Sequence, residues 1–326
     1  MIYVQTNDAE ANEVRAFTAD LRRLGAYPTG GRGDGQPHLP SQGSLALAGR
    51  RLLVANAGSG DVSLFAVETE GLSLLDVVPA GPRPVSVTAH DGLVYVLSGG
   101  MQPGIAGFRL AGGTLEPLAM RALAAGTDPA QIGFTPDGTA LVVTERGTNA
   151  IEVFPVEADG RVGDPVAHPS AGATPYGFDF AGGTLVVTEA FGGAVGAAAA
   201  SSYRLDGTTL RTVSPSVGDG RSEVCWAVGS ADGRSVWVTN FGDGTVSRYA
   251  VGADGSLELA DPVAASTVLG SKGIRDAARS AGGGALYALD ADERTVFGWR
   301  IEDGGALEPI GAVDGLPATA AGLVAL

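Results

Sequence analysis

Apolar residues in this chain come in short runs, each ending on a polar residue and followed by glycine-containing turns. The fourth copy of the pattern reads Ala130-Gln-Ile-Gly-Phe-Thr-Pro-Asp-Gly-Thr-Ala-Leu-Val-Val-Thr-Glu-Arg-Gly-Thr-Asn-Ala-Ile-Glu-Val-Phe154. An apolar stretch leads through a tight turn into a Val/Leu-rich run, then through a short loop into a second β-rich run. Seven such runs end on Asn7, Asn56, Ser98, Glu145, Glu189, Asn240 and Asp290, spaced 42 to 51 residues apart. Val-rich alternation without helical periodicity predicts strands. A repeat of this length built from strands predicts a seven-bladed β-propeller with four-stranded blades.

The two ends of the chain predict how the ring closes. Ile2–Asn7, Glu13–Phe17 and Leu24–Tyr27 read as the second, third and fourth strands of a blade with no first strand ahead of them. Ala321–Leu326 reads as a strand with no blade after it. The C-terminal strand is therefore expected to complete the N-terminal blade, which removes two open edges. Blades cannot bury their faces alone, so residues 1–326 are expected to form one domain.

Turn chemistry sorts the loops. Pro136-Asp-Gly138, Ala231-Asp-Gly233 and His90-Asp-Gly92 join first to second strands, and Asp-Gly supplies the positive φ of tight hairpins. On this reading His90 is a solvated turn residue. These uniform turns share one face of the disc. Turns before first strands and after second strands share the other face, called the top here. The top carries the irregular loops 30–42, 190–201 and 264–274, the expected location of a site.

Composition narrows the partners. A net charge of −15 disfavours nucleic acid and anionic membranes. The expected partner is a small polar or anionic molecule, and the expected assembly a monomer. Cys225 is the single cysteine, so no intrachain disulfide is expected. No basic-then-apolar leader is evident. Both observations suit the cytoplasm, although a trimmed export signal would leave the same sequence.

The top rim gathers the candidate chemistry. Its carboxylates are Glu145, Glu189, Glu223, Asp276 and Asp290; its cations include Arg83, Arg146, Lys272 and Arg275. Gln131, Tyr176, Cys225, Trp226 and Phe241 join them. A rim carboxylate, Glu189 or else Glu145, is the candidate acid or base, with Tyr176 as a hydrogen-bond donor. Arg146, Lys272 and Arg275 are candidate ligands for an anion or oxyanion, and Gln131, Trp226, Phe241 and Cys225 complete the candidate binding set. Lys272 is the only lysine and stands three residues from Arg275. At Asn7, Asn56, Ser98 and Asn240 the polar residue is expected to tie its own turn. The histidines His38, His90 and His168 share no ligand spacing and no loop carries a Ca²⁺ motif, so neither metal nor cofactor is expected.

Several stretches resemble the lactonase family of seven-bladed propellers, which includes 6-phosphogluconolactonase and carboxymuconate cyclase. They are Asp128-Pro-Ala-Gln-Ile-Gly-Phe-Thr-Pro-Asp-Gly138, Asn56-Ala-Gly-Ser-Gly-Asp-Val-Ser-Leu-Phe65, Gly81-Pro-Arg-Pro-Val-Ser-Val87 and Val238-Thr-Asn-Phe-Gly-Asp-Gly-Thr-Val-Ser-Arg-Tyr249. The resemblance implies the propeller fold and, for the cyclase branch, a His, a Glu and rim arginines. The Glu position falls on Glu189; the His position falls on Ala130, beside Gln131; two arginine positions fall on Tyr176 and Cys225. The implied activity is hydrolysis of a sugar-type lactone or related cyclic ester on the top rim. A cyclase or isomerase on the same rim, and a non-catalytic binding propeller, are the alternatives.

Overall fold

A computed structural model describes residues 1–37, 39–69 and 71–326. His38 lies outside the described residues. Among the described residues, twenty-eight strands form seven sheets of four, each an antiparallel meander. Blades 2 to 7 follow chain order from their first strands, Leu45–Ala48, Pro84–His90, Pro129–Phe134, Pro175–Ala181, Val224–Gly229 and Ile274–Arg279, and the sheet at the N-terminus is blade 1. The seventh sheet joins Ala321–Ala325 to Ile2–Gln5, Glu13–Phe17 and Arg23–Pro28. The ring closes as the sequence implied. The only helical segments among the described residues are two short 3₁₀ turns, Phe191–Gly193 and Asp303–Gly305.

Burial follows from this architecture. Second strands are sandwiched between neighbouring blades, and Ala140–Glu145, Thr184–Glu189, Ser235–Asn240 and Ala285–Asp290 are buried at every position. Such strands read as continuous apolar runs because both faces are covered. Fourth strands such as Leu72–Pro79 and Leu307–Val313 lie at the outer edge and are mostly exposed or half-buried. Clusters such as Val142, Ile151, Phe178, Leu185, Val187 and Tyr203 join the facing sides of adjacent blades, so each blade's core depends on its neighbours.

The threonine before the run-ending residue fixes the next blade's inner strand. Thr144 Oγ1 donates to the Tyr176 carbonyl (2.6 Å), and Thr188 Oγ1 donates to the Cys225 carbonyl (2.7 Å). Gly177 allows that approach: a Cβ there would stand 2.6 Å from the Cys225 carbonyl oxygen and 2.9 Å from Trp226 Cα. The repeated Val-Val-Thr sequence thus sets the height of Tyr176 and Cys225 at the mouth.

His90 departs from expectation. It is the last residue of Pro84–His90 and its ring packs on Phe134 with centroids 5.3 Å apart. The turn itself falls to Asp91 and Gly92, both with positive φ, so the strand runs one residue further than its Asp-Gly signal suggested.

Candidate active site

A cleft of about 530 Å³ opens on the top face across blades 4, 5 and 6. Residues just before first strands (Asp128, Thr174, Glu223), at their starts (Tyr176, Cys225) and just after second strands (Arg146, Ala190, Phe241) line it. Lys272 and Arg275 of blade 7 stand at its edge, 5.7 and 5.3 Å from the centre of the Phe241 ring. This cleft size is ordinary for a small-molecule site.

Its polar groups are tied together in pairs. Arg146 Nη2 meets Asp128 at 2.7 Å, and Nη1 donates to Tyr176 Oη at 3.3 Å while the guanidinium lies over the Tyr176 ring. Lys272 Nζ donates to Glu223 Oε1 at 2.5 Å. Arg275 Nη2 meets Asp292 Oδ1 at 2.5 Å. Trp226 is fully buried and backs Tyr176, ring centroids 4.9 Å apart. Two buried N–H groups here, Trp226 Nε1 and Arg275 Nε, find no acceptor among the described residues.

Burial sets the protonation of the floor. Desolvation pushes the Tyr176 phenol well above its ordinary range, against the opposing effect of Arg146. Desolvation likewise pushes the Cys225 thiol up to about 12; Glu223 adds to the rise, while Arg146 and Arg275 oppose it. Both groups are therefore neutral donors near pH 7. Cys225 Sγ–H points to the Glu223 carbonyl (3.4 Å). Because the thiolate is the reactive form, Cys225 is expected to resist a thiol reagent at pH 8 in the folded protein and to react stoichiometrically after denaturation, read by a colorimetric thiol assay.

The cleft brings together most, but not all, of the residues singled out from the sequence. Arg146, Tyr176, Cys225 and Phe241 line it, Lys272 and Arg275 edge it, and Trp226 supports it. Gln131 does not reach it. Its amide donates to the Phe178 carbonyl and accepts from the Phe178 N–H (2.9 and 2.7 Å), bracing two inner strands beside the central channel.

Neither Glu189 nor Glu145 lines the cleft. Glu189 is fully buried between blades and accepts from the Gly172 N–H (2.7 Å), Ser201 Oγ (2.5 Å) and Ser216 Oγ (2.6 Å). Glu145 is also buried and accepts from Thr148 Oγ1 (2.6 Å). Both behave like the equivalent residues of other blades: Asn56 bonds Asp61 and Ser63, Asn240 bonds Thr245 and Ser247, and Ser98 bonds the Ala80 carbonyl. The run-ending side chain turns outward between blades, and the next residue faces the mouth, as strand alternation requires.

The outward position has its own chemistry in blade 4. Burial, with the nearby Glu145 carboxylate, pushes Glu152 up to about 7, while Arg121 opposes the rise. A carboxyl whose folded pKa is raised stabilises the fold below its unfolded value. That stability is lost as pH rises through the folded value. Wild-type stability is thus expected to fall between about pH 4.5 and 7 through this group. Glu152→Gln should flatten that slope and melt higher than wild type at pH 8, measured by thermal denaturation across pH.

Two other hollows lack such convergence. A groove of about 560 Å³ beside blade 3 is lined largely by apolar groups, with Met101 and Met120 exposed at its edge. The central channel hollow, about 230 Å³, holds Asp179 and Asp276. Asp276 is committed to the N–H groups of Ala277 (2.8 Å) and Leu323 (3.2 Å). No group of three or more His, Cys, Asp or Glu side chains comes together to hold a metal ion among the described residues.

The fold places this chain among seven-bladed propellers, with a cleft at its top mouth. Residues 44–193 match the family model "Lactonase, 7-bladed beta-propeller", which bears out the resemblance to the lactonase family over that stretch. The whole ring superposes on solved propellers at low identity. A functionally unknown protein from Desulfotomaculum acetoxidans aligns with TM-score 0.76 and 15% identity, covering 99% of this chain and 97% of that one. The Pseudomonas aeruginosa periplasmic gluconolactonase aligns with TM-score 0.72 and 19% identity, covering 99% and 98%. A provisional 6-phosphogluconolactonase from Bacteroides fragilis aligns with TM-score 0.70 and 19% identity, covering 99% and 96%. These likenesses establish the shared fold. No curated protein matches in sequence.

Proposed function

We propose that the protein hydrolyses a small lactone or related cyclic ester in the cleft of blades 4 to 6. The supporting observation is the convergence of Glu223 with Arg146 and Tyr176 in one cleft, with Lys272 fixing the Glu223 carboxylate at 2.5 Å. The family match over residues 44–193 points to the same reaction class.

On this reading Glu223 accepts a proton from water as the water oxygen bonds to the lactone carbonyl carbon. The carbonyl electron pair moves onto oxygen, where Arg146 and Lys272 stabilise the negative charge and the Tyr176 hydroxyl donates a hydrogen bond. When the carbonyl re-forms, the ring C–O bond breaks and its electrons leave on the ring oxygen. The proton held by Glu223 passes to that oxygen, and a hydroxy acid departs. Cys225 forms part of the floor as a neutral thiol rather than a nucleophile.

The test is a panel of five- and six-membered lactones followed by acid release in a pH-stat. Turnover above the spontaneous rate supports the reading, and a panel without turnover removes it. A cyclase or isomerase reading has one observation in its favour, the aromatic wall of Tyr176 and Phe241, with Trp226 packed behind Tyr176. It would show as product formation without uptake of labelled water.

A further inference from the structure

Each of the three cations that line or edge the cleft already has a carboxylate partner. Arg146 holds Asp128 at 2.7 Å, Lys272 holds Glu223 at 2.5 Å and Arg275 holds Asp292 at 2.5 Å. Three positive groups meet three negative ones. Arg221, also near blade 6's top, faces Asp243 at 3.9 Å. The cleft therefore offers no surplus positive charge, and it sits on a chain of net charge −15. Selective capture of a phosphate or carboxylate calls for the opposite arrangement, with unpaired guanidinium or ammonium groups.

An anion entering this cleft has two options, both costly. It can displace a carboxylate from its partner, and then lies beside the displaced charge. It can instead leave the pairs intact and give up its hydration for a field of near-zero net charge. An uncharged polyhydroxy ring meets neither penalty. Its hydroxyls can accept from guanidinium N–H groups and donate to carboxylate oxygens, and both kinds of partner alternate along the mouth.

We propose that the site selects an uncharged lactone and discriminates against phosphorylated or carboxylated analogues, with Asp128 and Asp292 as the residues that set this specificity. The proposal rests on the lactonase reading above for its reaction, and on the ion pairs alone for its charge preference. Asp128 is the clearer control point. It lines the cleft, its side chain is 57% exposed, and its φ of 45° is one that asparagine also tolerates. Asp128→Asn should therefore keep the fold while leaving Arg146 without its carboxylate.

The experiment compares kcat/KM for a neutral six-membered aldonolactone and its 6-phosphate. Wild type is expected to favour the neutral ring by about tenfold or more, the discrimination expected of one unbalanced charge contact. Asp128→Asn is expected to move the ratio toward the phosphate by a similar factor, and Asp292→Asn in the same direction. Circular dichroism melts confirm that each variant is folded. A wild type that prefers the phosphate, or ratios unmoved in both folded variants, overturns the proposal. If wild type turns over no lactone, the reaction reading fails on its own, and calorimetry with methyl phosphate still decides the charge preference. Binding by Asp128→Asn but not by wild type at millimolar ligand supports it. Binding by wild type overturns it.

Discussion

Glu223→Gln is expected to lower kcat for lactone hydrolysis by about a hundredfold or more, the usual contribution of a general base, without loss of the fold. The amide keeps the shape of the carboxylate but cannot take a proton from water. Glu223 is only partly buried, with 27% of its side chain exposed, and its one charged partner, Lys272, is itself exposed. The substitution should therefore disturb little beyond the Lys272 contact. Glu189→Gln provides the contrast. Its carboxylate accepts from a backbone N–H and two serine hydroxyls inside the blade 5 wall, and an amide nitrogen would confront donors there. That variant should lose stability, since an unmet buried group costs ~1–3 kcal/mol, and keep kcat in the fraction that folds. Paired melting curves and initial rates separate the two. A normal rate in Glu223→Gln with a collapsed rate in stable Glu189→Gln would reverse the assignment.

Removal of Ala321–Leu326 is expected to abolish cooperative folding. Ile2, Tyr3 and Val4 have no measurable exposure in the closed ring, and Leu323 is almost as buried. The strand pairs with Ile2–Gln5, and the Leu323 N–H caps the buried Asp276 carboxylate of blade 7. Losing it exposes apolar side chains worth ~1.5–3 kcal/mol each and leaves Asp276 short of a donor. The sum reaches the ~5–15 kcal/mol that holds a typical domain together. A truncated chain should be insoluble or melt without a sharp transition. An unchanged melting temperature would show that the ring does not depend on its closure.

Most of the fold was legible because the repeat states it seven times. Asp-Gly turns, Val/Leu runs and the unmatched strands at the two ends each recur or complement one another, so local ambiguity averages out. The site was legible only in part. Arg146, Tyr176, Cys225 and Phe241, which line the cleft, and Lys272 and Arg275 at its edge stood out in the sequence because the repeat places them at the starts of first strands and the ends of second strands. Glu145 and Glu189 attracted notice for the same reason, yet their side chains point between blades, and one residue of register decides that. Glu223 was visible on the rim but had no feature to raise it above the other carboxylates. The role proposed for it depends on meeting Lys272, 49 residues away, and on a positive φ of 54° at the entry to its strand. Neither can be read from spacing. Asp128 and Asp292 were hidden for a similar reason, because their importance lies in the cations they neutralise. Gln131 was misplaced because a polar residue on an inner strand can serve the neighbouring blade's backbone as easily as a ligand.

The most direct measurement is a crystal structure of the protein with a neutral aldonolactam, which keeps the ring and carbonyl of the lactone but resists hydrolysis. The ring should lie between Arg146, Tyr176, Cys225 and Phe241, its carbonyl carbon facing Glu223 and its oxygen toward Arg146 or Lys272. A lactam seated instead in the blade 3 groove beside Met101 and Met120, or in the central channel by Asp276, would contradict the assignment of this cleft.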